Sequence, residues 1–147
     1  HEGAGIQLGV LAHRQGHRAE VLRVEPAPGG VRVRWKRDDL ALDARFAFPA
    51  ERTTLVALLC GLGVSRIHLH HVDGLPRAVL DLPGELGVPF DVTLHDAYPI
   101  CPRYHLDRGE GRYCGEPDET GCDACLARRP AQWPLDIRGW RHAFGAL

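Results

Sequence analysis

Hydrophobic and polar positions alternate along two neighbouring stretches, which predicts an antiparallel hairpin. In GVRVRWKR, the residues Val31, Val33 and Trp35 share one face, and the residues between them are basic. The stretch LALDARFAF repeats this pattern, with apolar side chains on one face at Leu42, Ala44, Phe46 and Phe48. A period of two indicates strands with one buried face and one wet face. The Asp38-Asp39 pair between the stretches supplies the turn.

From Thr54 onward, the pattern indicates helices and strands in alternation. Four leucines follow the spacing i, i+3, i+4, i+7, which predicts a helix ended by Gly63, with Cys60 as a small buried residue within it. SRIHLHH and VPFDVTLHD are predicted strands. GLPRAVLDLPGELG between them is a predicted helix, broken at Pro83-Gly84, and PLDIRGWRHAFGAL is a further predicted helix.

This order of elements favours an α/β fold. We expect a Rossmann-like, mostly parallel sheet with flanking helices, an antiparallel hairpin and a Cys-rich zinc-type loop. Residues 4–16 are predicted to form a helix, and RAEVLRVEP a strand ended by Pro26. We expect residues 1–147 to form a single, partial domain, with the Cys-rich loop inserted at 97–133.

Composition limits the classes of function. The chain has 147 residues and 44% hydrophobic residues, enough for one domain with a real core. A net charge of −1 provides no field for nucleic acid, so we predict no nucleic-acid partner. Apolar runs fall short of the roughly 20 residues that span a membrane. We expect a cytoplasmic protein, with peripheral association at the inner face of the membrane as a variant. Because the chain contains no Met, we expect it to be incomplete.

Two predicted strands end in residues that can do chemistry. His70 and His71 follow the first, and His95 and Asp96 follow the second. Ligands of open α/β sheets bind beyond the carboxyl ends of the strands, where an imidazole can donate to a phosphate or sugar hydroxyl or act as acid or base. Asp96 either orients His95 or caps the following turn. The alternative is strand-end histidines with solvent or backbone partners, which is the preferred interpretation of His68.

Gly3 and Gly5, before the predicted first helix, are a second candidate site. Exposed N–H groups at the start of a helix bind anions. The same two glycines are equally compatible with a frayed chain end.

The cysteines are a third candidate site. Cys122 and Cys125 form the C-x-x-C pair typical of zinc knuckles, and two more cysteines precede them at Cys101 and Cys114. Four thiolates would close a tetrahedral site, so the zinc ion would be structural rather than catalytic. His105 can replace one ligand. Two disulfides and four free thiols remain as alternatives, although the lack of an export signal favours zinc.

The stretches RIHLHHVDGLP and GVPFDVTLHDAYPICPR and the cysteine loop resemble glycosyltransferase family 4, from Arg66 to about Trp140. That family comprises retaining, nucleotide-sugar-dependent enzymes of the two-domain GT-B fold, and the likeness is to the acceptor-side first domain. The resemblance implies the N-terminal domain, or a fragment of it, of a bacterial hexosyltransferase of polysaccharide biosynthesis. The enzyme would transfer a sugar from a nucleotide-sugar donor to a glycan or lipid-linked acceptor.

By this resemblance, His95 corresponds to a strand-end histidine near the donor sugar and acceptor. Gly3 and Gly5 correspond to a glycine loop near the donor phosphates, and His70 and His71 match the strand motif. The implied partner is a C-terminal nucleotide-sugar-binding domain of the same protein, without which the chain is inactive. The alternative hypothesis is a non-enzymatic, zinc-stabilised α/β binding module.

Overall fold

A computed structural model describes residues 8–12, 20–37, 39–108 and 111–145. The chain forms two compact units, divided between Thr93 and Leu94. The loop insertion predicted at 97–133 lies within the second unit.

The first unit is built on a six-stranded sheet. Its strands are β1 (Leu8–Ala12), β2 (Glu20–Ala27), β3 (Gly30–Arg37), β4 (Leu40–Ala47), β5 (Arg66–Leu69) and β6 (Phe90–Val92). They lie side by side in the order β4-β3-β2-β1-β5-β6. Among these described strands, only β5 and β6 pair in parallel.

The predicted Rossmann-like, mostly parallel sheet is wrong. Strands β2, β3 and β4 are joined by tight turns, and a two-residue connection can only bring strands together antiparallel. Strand β1 then pairs antiparallel with both β2 and β5. The helix–strand alternation after Thr54, which favoured a parallel sheet, supplies only two of the six strands.

The predicted first helix is also wrong where the structure describes it. Leu8–Ala12 is a strand, paired on both sides. The two ladders satisfy its backbone groups, which outweighs the weak helix propensity of a segment containing Gly9 and Val10. The rest of the predicted helix, and the candidate residues Gly3 and Gly5, lie outside the described residues.

The predicted hairpin is confirmed, with Arg37 opposite Leu40. Val31 and Val33 are fully buried, and Phe46 faces the same interior. Arg34 is exposed on the other face, where the sheet meets water. The period-two pattern therefore sorts this sheet into one dry and one wet face.

Two short helical segments and one longer helix complete the first unit. They are α1 (Arg52–Gly61), a 3₁₀ turn (Arg77–Asp81) and α2 (Leu82–Leu86). Helix α1 buries Leu55 and Leu59, as the leucine spacing predicts. The prediction that Cys60 is buried is wrong, because it lies on the exposed face of this helix. Pro83 does not break a helix either; it lies in the first turn of α2, where no backbone N–H is needed.

The second unit contains α3 (Glu119–Arg128) and α4 (Ile137–Gly145). Helix α4 confirms the predicted C-terminal helix and packs on an aromatic core that includes Tyr98, Trp133 and Trp140. The indole Nε1 of Trp140 donates to the carbonyl of Tyr98 at 2.8 Å, and the two rings meet edge to face. None of the helices in the described part of the chain is long and apolar enough to cross a membrane.

Candidate functional site

A histidine cluster, defined as His68, His70 and His71, lies in the first unit at the end of strand β5. Leu69 is opposite Val92 in the parallel pair, and the N–H of Thr93 donates to the carbonyl of Leu69 at 2.9 Å. His68 and His70 are two residues apart and therefore lie on the same side of the strand. Their rings stack with centroids 4.3 Å apart and an interplanar angle of 13°.

Two hydrogen bonds orient rings of the histidine cluster. Nε2 of the half-buried His68 lies 2.6 Å from Oγ1 of Thr93, which ties the end of β5 to the end of β6. Nδ1 of His71 accepts the backbone N–H of Asp73 at 3.2 Å. The neutral His71 ring therefore carries its proton on Nε2 and can donate from that atom. Together with the exposed His70, this strand end offers imidazole donors to a polar ligand.

The second predicted histidine site lies in the second unit. His95 is exposed, three residues beyond the last residue of β6. Oδ1 of Asp96 accepts the N–H of Tyr98 at 2.8 Å. Of the two roles that the sequence left open for Asp96, the structure shows the turn cap. This bond fixes the backbone that carries His95 next to the buried Tyr98.

The four cysteines of the loop lie together. They line one cavity of about 210 Å³ in the second unit, and all five cysteines of the chain are free thiols. The cavity cysteines are half-buried: Cys101, Cys114, Cys122 and Cys125. The sequence thus predicted correctly which residues come together, and this group is called the four-cysteine cavity below.

Backbone hydrogen bonds set the positions of the first two cysteines. The N–H of Cys101 donates to the carbonyl of Ala97 at 2.8 Å, which closes a turn. The N–H of Cys114 donates to the carbonyl of Leu106 at 2.7 Å. Gly115 and Glu116 then adopt positive φ values of 74° and 45°, and such a sharp turn leads the chain from Cys114 into α3.

Helix α3 carries the other two cysteines on one face, because residues three apart lie on adjacent turns. Asp118 caps it by accepting the N–H of Gly121 at 2.9 Å. A Cβ atom at Gly121 would lie 2.7 Å from Cβ of Pro117, so only glycine allows this close approach. The analysis of sequence motifs missed Gly121; its signal was a glycine directly before the first cysteine of the C-x-x-C pair.

Arginine side chains surround the thiols, and sequence reasoning missed them too. Nη2 of Arg141 lies 3.9 Å from Sγ of Cys122, and its Nε donates to the carbonyl of Ile100 at 3.1 Å. Arg108 and Arg128 also line the cavity. Spacing in the sequence gives no sign of this, because Arg141 reaches the cavity from α4.

The thiols influence one another electrostatically. Burial raises the pKa of the Cys101 thiol above its ordinary value, and the three other cavity cysteines raise it further. Burial also raises the pKa of Cys122, while the nearby Arg141 acts in the opposite direction. Without an added positive charge, the four sulfurs therefore resist simultaneous ionisation.

The zinc-type loop of the predicted fold is not present as the side chains stand. Within the described ranges, no group of three or more His, Cys, Asp or Glu side chains is arranged to hold a metal ion. The four thiols share a cavity but do not converge on one point. His105, the substitute ligand considered from the sequence, is exposed.

No family model, no curated protein and no solved structure matches this chain, so its own geometry carries the functional inference.

Proposed function

We propose that this chain is the acceptor-side, N-terminal part of a retaining glycosyltransferase. The whole enzyme transfers a sugar from a nucleotide-sugar donor to a glycan or lipid-linked acceptor. The observation that carries the proposal is the parallel pairing of β5 and β6, with Leu69 opposite Val92 and the histidine cluster directly beyond. Ligands of α/β sheets bind beyond such carboxyl ends.

The antiparallel strands do not conflict with this proposal. Every antiparallel pairing includes a strand that precedes Arg66, where the resemblance to glycosyltransferase family 4 begins. From Arg66 to Thr93 the chain forms a strand, a helical crossover and a parallel strand. That βαβ-type unit is the part on which the proposed acceptor surface depends.

The chemistry of the histidines suits sugars. Sugar hydroxyls require hydrogen-bond donors and acceptors in fixed directions, and an imidazole with one nitrogen engaged by the protein offers the other nitrogen in a set orientation. His71 fits this description through its bond from Asp73, and the exposed His70 is accessible beside it. In this proposal the exposed His95 contacts the reacting sugars, and Asp96 positions it through the turn cap.

The proposed enzyme needs a second domain. The partner of this chain is a C-terminal nucleotide-sugar-binding domain of the same protein, and residues 1–147 alone transfer no sugar. The proposal retains Gly3 and Gly5 as predicted contacts of the donor phosphates. It places the protein in the cytoplasm or at the inner face of the membrane, where it meets lipid-linked acceptors.

Hydrolysis of nucleotide sugars by the longer protein tests the proposal. Its reading frame should continue past Leu147 into a nucleotide-sugar-binding domain. We expect His95→Ala to lower the rate by about 100-fold, the smaller effect typical of a group in direct contact with the reacting atoms. His105→Ala is the matched control, because His105 is another exposed histidine of the second unit. Equal rates for His95→Ala and wild type would contradict the proposal and favour a non-enzymatic binding module.

A further inference from the structure

We propose that the four-cysteine cavity binds one zinc ion as a structural centre. Its ligands are the thiolates of Cys101, Cys114, Cys122 and Cys125. The inference is independent of the sugar-transfer proposal, because it concerns how the second unit is held together. It rests on four free thiols from three separate segments that line one cavity.

Forming the centre requires only side-chain rotation. Each cysteine has one rotatable bond between its backbone and its sulfur, and staggered alternatives for that bond are available. The backbone already brings the three segments to the cavity through the turn at Ala97, the bond to Leu106 and the cap at Asp118. Zinc would draw together sulfurs that now share the cavity without converging.

Helix α3 is the part of the unit that lacks another anchor of sufficient strength. This ten-residue helix buries none of its residues, and isolated helices of that length are marginal in water. Its contacts include the bond from the N–H of Ile137 to Asp123 at 2.8 Å and the exposed pair of Arg138 with Glu119. Exposed pairs of this kind contribute little. A metal ion that joins α3 to the two loop cysteines would supply the missing cross-link.

The charges around the cavity fit a tetrathiolate centre. Four thiolates and one Zn²⁺ carry a net charge of −2, which must be balanced nearby. Arg141 approaches Cys122 at 3.9 Å, and Arg108 and Arg128 line the same cavity. The N-terminal end of α3, close to Cys122, also favours negative charge.

The ligand chemistry selects zinc and a structural role. Thiolate sulfur is a soft ligand, and a set of four in tetrahedral geometry is typical of zinc. With four protein ligands the ion has no open position for water or substrate. The centre therefore does no chemistry itself; it fixes the loop that begins beside His95.

The test measures zinc and thiols in the purified chain of residues 1–147, prepared under reducing conditions and dialysed to remove loosely bound metal. We expect one zinc per chain, and X-ray absorption at the zinc edge should show four sulfur ligands at about 2.3 Å. Separate Ser substitutions at the four cavity cysteines should each lower bound zinc at least tenfold. Cys60→Ser, at the exposed cysteine of α1, is the matched control and should keep one zinc.

The wild-type spectrum keeps the test decisive even where a variant fails to fold. Replacement of zinc by Co²⁺ should give the intense visible absorption of a tetrahedral thiolate site. A zinc-free chain with five reactive thiols would overturn the proposal, as would two disulfides found by mass spectrometry. Nitrogen or oxygen in the first coordination sphere, or equal loss of zinc in Cys60→Ser, would also overturn it. None of these outcomes changes the expected result of the hydrolysis assay.

Discussion

Arg141 connects helix α4 to the four-cysteine cavity: its Nη2 lies 3.9 Å from Sγ of Cys122, while its Nε donates to the carbonyl of Ile100. Ile100 directly precedes Cys101 in the sequence. One guanidinium therefore contacts both α3 and the turn that carries the first cysteine. This arrangement makes Arg141 the charged neighbour on which the stability of a metal centre should depend most.

Substitution of Arg141 tests this dependence. Arg141→Gln removes the positive charge next to Cys122 but keeps a side chain of similar length. We expect zinc to remain bound at one per chain, with an affinity about tenfold lower, the lower end of the effect of outer partners of metal ligands. Competition with a chelating dye measures the change.

Arg138→Gln provides the matched control for that experiment. Arg138 lies one turn away on α4 and pairs with Glu119, but it is largely exposed and its ion pair should contribute little. Zinc affinity should stay within twofold of wild type. A loss in Arg138→Gln as large as in Arg141→Gln would mean that net charge, rather than contact with Cys122, sets the affinity.

Gly121 should not tolerate a side chain. In Gly121→Ala the new Cβ would lie 2.7 Å from Cβ of Pro117, so α3 must shift away from the loop that carries Cys114. We expect the free energy of unfolding to fall by about 1–3 kcal/mol, the usual cost of overpacking. Urea denaturation followed by circular dichroism measures it.

Gly61→Ala separates the clash from helix propensity. Gly61 is the last residue of α1, and a Cβ atom there meets nothing within 4 Å. The substitution should be neutral or raise stability by up to about 1 kcal/mol, because alanine favours helix. If Gly121→Ala behaved like Gly61→Ala, the close packing of α3 against Pro117 would be disproved.

The contact between His68 and Thr93 gives a third prediction. Thr93→Val keeps the shape of the side chain but removes the oxygen that lies 2.6 Å from Nε2 of His68. The half-buried imidazole then loses a partner, and we expect the free energy of unfolding to fall by about 1 kcal/mol. Thr54→Val, at an exposed position of α1, should change it by less than about 0.5 kcal/mol. Equal effects of the two substitutions would show that the contact does not hold the strand ends together.

The sequence predicts those parts of the fold that short-range patterns determine. Val31 and Val33 alternate with basic residues, and this period identifies strand β3 and its buried face. The leucine spacing likewise identifies α1 and its buried residues Leu55 and Leu59. Cys60 was misplaced because a small apolar residue next to Leu59 fits either face of a helix until the helix is oriented on the sheet.

The direction of strand pairing was not predictable from the same patterns. Leu8–Ala12 contains no alternation that distinguishes strand from helix, and its pairing partners β2 and β5 are distant in the sequence. The four cysteines were identified by type and spacing alone. Arg141 was not, because it reaches Cys122 through tertiary packing of α4, which no local spacing records.

The anomeric configuration of the product tests the proposed transfer most directly. The longer protein would be incubated with a panel of UDP-, GDP- and dTDP-sugars and candidate acceptors, and any glycoside formed would be examined by NMR. We predict a product with the same anomeric configuration as its donor, formed by wild type and by His105→Ala but about 100-fold more slowly by His95→Ala. An inverted product, or undiminished transfer by His95→Ala, would contradict the proposal.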